Sequence, residues 1–389
     1  MPDIIKRTVR KRMAFQNNNF FFCAFFFLMV CAKGIGLDSS DTVYFLMAIL
    51  SIPFWILYVM SLCWSPVTLR YAMTIFAIAC ITTLITRRMG ILLSVMAMIA
   101  MKDIEREKLV GWILKIWAGC MAMVLLCVAC GILPDRVVSE NGKIWHGMGY
   151  VTGNIFHATV AIFIILYMYY RKEKIVYVEL LGLGLVNWFV YQYSASRTGL
   201  MIGTFAVVLD MILKLFRNRE GVLKWIMFGM AAGMIFVFSF SFLLPAMYNG
   251  DWGSHHWVSV LNRALTGRIQ HGKTVFLSDP ISLFGNPNAL SAFLDNSYMF
   301  LLMKYGLIVT LMVCSIYVLA VKSMLQRKDV YGIYVVFIFV IYGFTEQFFV
   351  NSFMNYSMLF VGHEIMNIVL RGQGQEYPLQ RRKANVRFE

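Results

Sequence analysis

The sequence predicts an all-α polytopic membrane protein with about twelve transmembrane helices, each needing roughly 20 mostly apolar residues to cross the hydrocarbon layer. Three observations carry that reading. Hydrophobic residues make up 60% of the 389. Charged residues make up only 14%, where a soluble domain has roughly 25%. The apolar residues run in long blocks, without the alternation of a β-barrel. A soluble enzyme, a disordered chain and a protein with one membrane anchor are excluded on the same grounds.

Taken in order, a basic N-terminal stretch (Lys6, Arg7, Arg10, Lys11, Arg12) precedes a Phe-rich block near 19–37. No small-residue cleavage site follows it, so it reads as an uncleaved first helix. Further blocks lie near 42–64, 67–86, 89–101, 109–133, 147–170, 175–193, 199–216, 222–246, 297–321, 330–350 and 353–370. The 89–101 block is short for a full crossing. Alternation from a cytoplasmic start puts 24 Lys and Arg on the inner side and nine on the outer side. This is the positive-inside asymmetry, and it supports twelve helices with both termini in the cytoplasm. It also accounts for the formal charge of +15 without nucleic acid, for which no motif is present. The outer pair Arg87-Arg88 is the main irregularity.

All eight cysteines lie in apolar blocks, so no disulfide framework is expected. Cys127 and Cys130 have redox-motif spacing but sit in an apolar helix and read as packing residues. His255, His256 and His271 lack a recognised ligand spacing and an acidic or Cys completion, so neither metal nor cofactor is expected. Only one connection is long: 247–296, on the outer face, read as a partly ordered lid with Trp252, Trp257, Pro280 and Pro287. No inverted repeat of the transporter kind is evident.

Polar chemistry gathers in a few places. Ser194-Ala-Ser-Arg197-Thr-Gly199 stands where one span hands over to the next. Its hydroxyls suit a helix cap, the N-terminus that follows attracts anions, and Arg197 offers a forked donor for phosphate. Asn262-Arg263-Ala-Leu-Thr266-Gly267-Arg268 lies in the long loop. Its two arginines converge only if the segment bends at Gly267. Leu294-Asp295-Asn296-Ser297-Tyr298 leads into the 297–321 block. There Asp295 or Asn296 can cap the helix, and Asp295 can also serve as general base toward a sugar hydroxyl. Asn154 and His157 share a face at i and i+3. Glu346 and Gln347 end the 330–350 block near Asn351 and Asn355, while Lys304, His363 and Glu364 lie deeper. His363 and Glu364 read as interhelical pairing residues.

In this order, these clusters resemble the bacterial O-antigen and exopolysaccharide polymerase family, often called Wzy, within the wider polymerase–ligase superfamily. The likeness runs through Gly149-Tyr150, Asn154, Ser194–Gly199, Thr266-Gly267-Arg268, Leu283-Phe284-Gly285, Asp295–Tyr298, Gly306 and Glu346. It covers most of 147–355, while the first 146 residues agree chiefly in hydropathy. The resemblance implies a GT-C-like helical fold and an extracytoplasmic active site. It also implies transfer of a growing glycan from undecaprenyl diphosphate to another lipid-linked repeat unit, and it leaves room for a chain-length regulator. Related ligases carry His-Asn before the late helix. Asp295-Asn296 stands here instead, so polymerase is favoured over ligase, with a lipid-linked oligosaccharide flippase as the remaining alternative.

The expected chemistry needs no metal, because the donor carries its own diphosphate leaving group. Arg197, Arg263 and Arg268 neutralise the charge developing there. Asp295 positions or deprotonates the acceptor hydroxyl. Asn154, Asn296, Tyr298 and Glu346 are further sugar or diphosphate contacts.

Overall fold

The structure is a computed structural model that describes residues 20–38, 41–140, 143–250, 253, 255–288, 294–351 and 353–371. The basic N-terminal cluster, Trp252 and most of the basic C-terminal tail lie outside these residues. Apolar blocks fold as helices because a waterless medium leaves backbone N–H and C=O groups no other local partner. The elements run α1 (Phe20–Gly34), α2 (Thr42–Ser61), α3 (Pro66–Thr86), α4 (Gly90–Ala100), α5 (Arg106–Ala129), an antiparallel hairpin β1 (Val137–Glu140) and β2 (Lys143–His146), then α6 (Gly153–Arg171), α7 (Tyr177–Ser194), α8 (Arg197–Leu215) and α9 (Glu220–Met247). They continue with α10 (His256–Ala264), α11 (Arg268–Ser278), α12 (Ser297–Phe300) with a π-helical turn (Leu301–Tyr305), α13 (Leu307–Gln326), α14 (Val330–Thr345) and α15 (Ser357–Arg371).

Among the described residues, seven helices are long and apolar enough to cross a membrane: α2, α3, α5, α6 with its 3-10 extension, α8, α9 and α13. Helices α1, α4 and α14 are apolar but shorter. With eleven residues, α4 rises about 16 Å, half the roughly 30 Å of a hydrocarbon core.

The chain divides into two compact units. The first comprises residues up to Ser65 and Asp103–Leu209. In it α6 packs against both α5 and α7, and its buried residues surround it on every face. The Trp117 indole donates to the Thr159 carbonyl at 3.0 Å, tying α5 to α6. The Tyr150 hydroxyl donates to the Gly34 carbonyl at 3.0 Å, tying the segment before α6 to α1. Ion pairs Arg171–Glu179 (2.7 Å) and Lys172–Glu107 (2.6 Å) close the opposite end of α6. The β-hairpin that precedes α6 is absent from the sequence reading.

The second unit comprises Pro66–Lys102 and residues from Asp210 onward. At its centre is α14, apolar nearly all round and buried from Gly332 to Gly343, as such a helix must be. It packs on α9, while α15 packs on α13 and α4. The Arg327 guanidinium, just past the end of α13, donates to Glu364, which also accepts from Ser323 Oγ at 3.1 Å, so α13 and α15 are joined by a partly buried pair. This is the interhelical role expected of Glu364, with its partner now identified. Between α14 and α15 the chain is irregular but buried. Asn355 holds it by donating to the Phe349 carbonyl at 2.8 Å and contacting Tyr317 and Ser357.

The 297–321 block differs most from expectation. It is cut at Gly306, whose φ of 89° and ψ of 173° belong to glycine alone. A helix start leaves backbone N–H groups without partners. Here a returning loop supplies them: Leu307 N donates to the Ser282 carbonyl (2.9 Å) and Ile308 N to the Leu283 carbonyl (3.1 Å). On the other side of the cut, Asn286 N donates to the Lys304 carbonyl at 3.1 Å. The Leu283-Phe284-Gly285 motif and Gly306 are thus one backbone joint. A Cβ on Gly306 would come within 2.4 Å of Gly285 N and 2.6 Å of the Leu283 carbonyl oxygen. Gly306→Ala is expected to lower stability by at least about 1–3 kcal/mol, read as a lowered thermal midpoint of detergent-solubilised protein. Gly229→Ala, inside α9 where nothing lies within 4 Å, should hold or raise the midpoint.

Candidate functional site

The second unit brings together three sequence-predicted residues. Helix α10 ends in two successive left-handed residues, Thr266 (φ 54°) and Gly267 (φ 81°). The chain therefore bends where convergence of the loop arginines required it to. The Asn262 side chain accepts from Gln270 N at 3.1 Å, and its carbonyl accepts from Gly267 N at 2.8 Å, fixing the bend. Val258 and Ile269 bury against Leu244 and Tyr248, anchoring both lid helices to the end of α9. Gly272 lets α11 approach Pro245 closely. Arg268, the first residue of α11, is thereby held in place with its side chain only 15% exposed.

Its guanidinium donates through Nε to Asp295 Oδ2 (3.0 Å) and through Nη2 to Glu346 Oε1 (3.5 Å). Glu346 is placed by the end of α14 and by Ser297, whose hydroxyl donates to the Glu346 carbonyl and accepts from Phe349 N at 3.1 Å. Asn296 caps α12, its side-chain oxygen accepting from Tyr298 N (3.0 Å) and Met299 N (3.2 Å). Tyr298 is buried and donates its hydroxyl to the Val340 carbonyl at 2.5 Å. Of the Asp-Asn-Ser-Tyr run, then, Asp295 meets the arginine and the other three hold the helix start. A narrow crevice beside Arg268 is walled by Leu244, Pro245, Leu265, Ile269, Asn296 and Phe344.

Burial pushes the Glu346 carboxyl up to about 7, opposed by the Arg268 charge and reinforced by Asp295. An acid whose folded value is raised keeps a proton that the unfolded chain releases. Its contribution to stability is therefore present below the ordinary carboxylate range and is lost as pH rises through about 7.

The remaining predicted residues are placed differently. Arg197 begins α8 in the first unit, with an exposed side chain. Ser196 caps that helix by accepting from Gly199 N at 3.3 Å. Beneath it runs a buried chain: Ser196 N donates to Ser194 Oγ (3.3 Å), which lies 2.9 Å from His157 Nδ1, while His157 Nε2 lies 2.9 Å from Asn187 Oδ1. The Asn187 amide donates to the Leu200 carbonyl (3.0 Å) and to Thr204 (3.1 Å). Because Asn187 Oδ1 can only accept, the ring proton belongs on Nε2, and Nδ1 accepts from the Ser194 hydroxyl. A Cβ on Gly199 would lie 2.4 Å from His157, and one on Gly203 would lie 2.3 Å from Asn187. The motif's glycine is needed for that contact. Asn154 is half-buried at the start of α6, and Arg263 is exposed on α10. Among the described residues no hydrogen bond joins Arg263 to Arg268 or to either carboxylate.

The sequence reading missed Asp135, just before the hairpin, and His146, the last residue of β2. Asp135 bonds His146 Nδ1 at 2.6 Å and accepts from Met148 N at 2.8 Å. Nothing in their spacing marks them, because a strand pairing brings them together. Among the described residues no group of three or more His, Cys, Asp or Glu could hold a metal ion.

Fold and site together define a class, a multi-pass helical membrane protein carrying an arginine–carboxylate cluster at the start of α11. No protein-family model, curated protein or solved structure matches the chain.

Glu346→Gln is expected to flatten the pH dependence of stability. Wild type should lose thermal midpoint between pH 5 and pH 8.5, and the variant should lose less over the same range in the same detergent.

Proposed function

We propose that this protein is a twelve-pass, GT-C-like glycan polymerase. In this reading it transfers a growing glycan from undecaprenyl diphosphate to a lipid-linked repeat unit at the extracytoplasmic face of the cytoplasmic membrane. The observation that supports this most is the meeting of Arg268, Asp295 and Glu346. They come from a lid helix, a half-helix entrance and the end of a buried helix, at sequence separations of 27 and 78. Such an arrangement joins a forked cation for a diphosphate to carboxylates for a hydroxyl, beside an apolar crevice.

The step runs as follows. The acceptor hydroxyl oxygen bonds to the donor's anomeric carbon as the bond from that carbon to the diphosphate oxygen breaks. The hydroxyl proton passes to a carboxylate, and undecaprenyl diphosphate leaves as the anion. At rest Arg268 faces two carboxylates, so an arriving diphosphate competes for it. When the guanidinium turns to phosphate, Asp295 is released to accept the proton. Glu346, with its raised carboxyl, suits the storage and return of a proton near neutrality. Arg197, exposed at the capped start of α8 in the first unit, is a cation suited to phosphate in its own right.

Reconstituted protein given only lipid-linked repeat units tests the reading. Chain growth supports it, transfer only to a lipid A core acceptor replaces it with a ligase, and lipid movement without a new glycosidic bond replaces it with a flippase. Arg268→Ala and Arg197→Ala should each cut polymerisation by about 10²–10³-fold while membrane insertion stays intact. A wild-type rate in Arg268→Ala would remove the diphosphate role of the Arg268 cluster.

A further inference from the structure

We propose that Arg87, Arg88 and Lys304 form a second anion site, one that takes the diphosphate headgroup of the acceptor lipid, distinct from the Arg268 cluster and within the same unit. The assignment of an acceptor lipid rests on the polymerase reading, in which two diphosphate lipids must be held and only one is cleaved.

The geometry begins with both flanks of the Arg87-Arg88 connection. On one side Thr86 abuts Gly285, where a Cβ would fall 2.6 Å from the threonine methyl and 2.4 Å from the Lys304 carbonyl oxygen. On the other side Gly90 abuts Tyr305, where a Cβ would fall 2.8 Å from the tyrosine hydroxyl. The two arginines are therefore carried to the backbone joint at Gly306. The Arg88 guanidinium carbon lies 5.9 Å from the Phe300 ring centroid. Phe300 and Lys304, four residues apart, share a helical face, and Arg88 and Lys304 are close enough for their charges to repel.

Three cations are gathered here with little to neutralise them, Arg87 and Arg88 exposed and Lys304 buried. Lys304 is 3% exposed, and its ammonium donates to the Pro287 carbonyl at 2.6 Å. Asp279 is the carboxylate that acts on it. Among the described residues neither Arg87 nor Arg88 makes an ion pair. The loop that caps α13 also carries Ser282, whose hydroxyl oxygen is buried without a hydrogen-bond partner. A buried hydroxyl left unpaired is costly, and so is crowding like charges. An anion rich in acceptor oxygens relieves the crowding of Arg88 and Lys304. The contrast with Arg268 decides which headgroup goes where. One cation between two carboxylates gives a site that must rearrange to take a diphosphate, which suits the group that reacts. Three cations with one carboxylate give a site that holds it directly, which suits the group that stays intact. It also explains why two arginines stand on the outer side against the positive-inside trend.

The test uses purified full-chain protein carrying Arg268→Ala, which disables the other clamp, with farnesyl diphosphate as probe and thermophoresis as readout. Adding Arg88→Gln should weaken binding at least tenfold at an unchanged thermal midpoint. Lys304→Met should weaken binding as well, with a lower midpoint from loss of the hydrogen bond to Pro287. Farnesyl monophosphate should bind more weakly than the diphosphate. Inorganic pyrophosphate matching farnesyl diphosphate would keep the diphosphate site and assign it a soluble source. Displacement of the probe by phosphatidylglycerol at equal potency would overturn the proposal, making the arginines ordinary membrane anchors. So would unchanged binding in Arg88→Gln, or no binding before that change. Binding needs no transfer, so the two claims fail separately. Binding without polymerisation removes the polymerase reading, and polymerisation without binding here removes this site.

Discussion

The second unit depends on one constraint: backbone N–H groups exposed by cutting a buried helix must find partners. Gly306 makes the cut, and the loop from Ser282 to Asn286 answers it by lying along both sides of the break. That contact fixes the start of α13, holds the Lys304 carbonyl, and seats the short α12 whose entrance carries Asp295. Without the joint, Asp295 would have no fixed position from which to meet Arg268 across 27 residues of chain. The lid helices add the second half of the meeting. Their apolar faces settle on the end of α9, and the left-handed pair Thr266-Gly267 turns Arg268 inward.

Charge is distributed unevenly over this framework. Arg268 is balanced by more negative charge than it carries, which is why burial can hold the Glu346 carboxyl up near neutrality even beside a guanidinium. Arg87, Arg88 and Lys304 have the opposite imbalance. In the first unit the solution is neutral. His157, Ser194 and Asn187 complete one another's hydrogen bonds in the interior, so the helix start that bears Arg197 is rigid without any buried charge. Arg197 is then presented at a helix end whose buried polar neighbours satisfy one another.

Much of this was legible beforehand. Long apolar blocks announce helices, and most boundaries fell close to the composition shifts. Arg268, Asp295 and Glu346 were each recognisable as charge beside glycine or at a block end, and Asn296 was readable as a cap. Gly306 was noticed as a motif residue but not as a break, because apolar residues continue on both sides of it and hydropathy does not register backbone conformation. His146 and Asp135 were invisible for a related reason. Their proximity arises from strand pairing in a short polar hairpin between spans. Tyr298 looked like a polar group at a membrane surface, yet packing turned it inward, where Val340 takes its hydroxyl.

By itself, then, the sequence determined the medium and the local structure. Its apolar excess demands lipid, and lipid demands helices, since no other segment can satisfy its own backbone there. Tertiary structure alone decided which helices are whole and which polar side chains face a site rather than a neighbour. It also decided whether each cation is neutralised. Those outcomes depend on distances between residues far apart in the chain, and hydrogen bonding and charge act over a few ångströms that composition and periodicity do not specify.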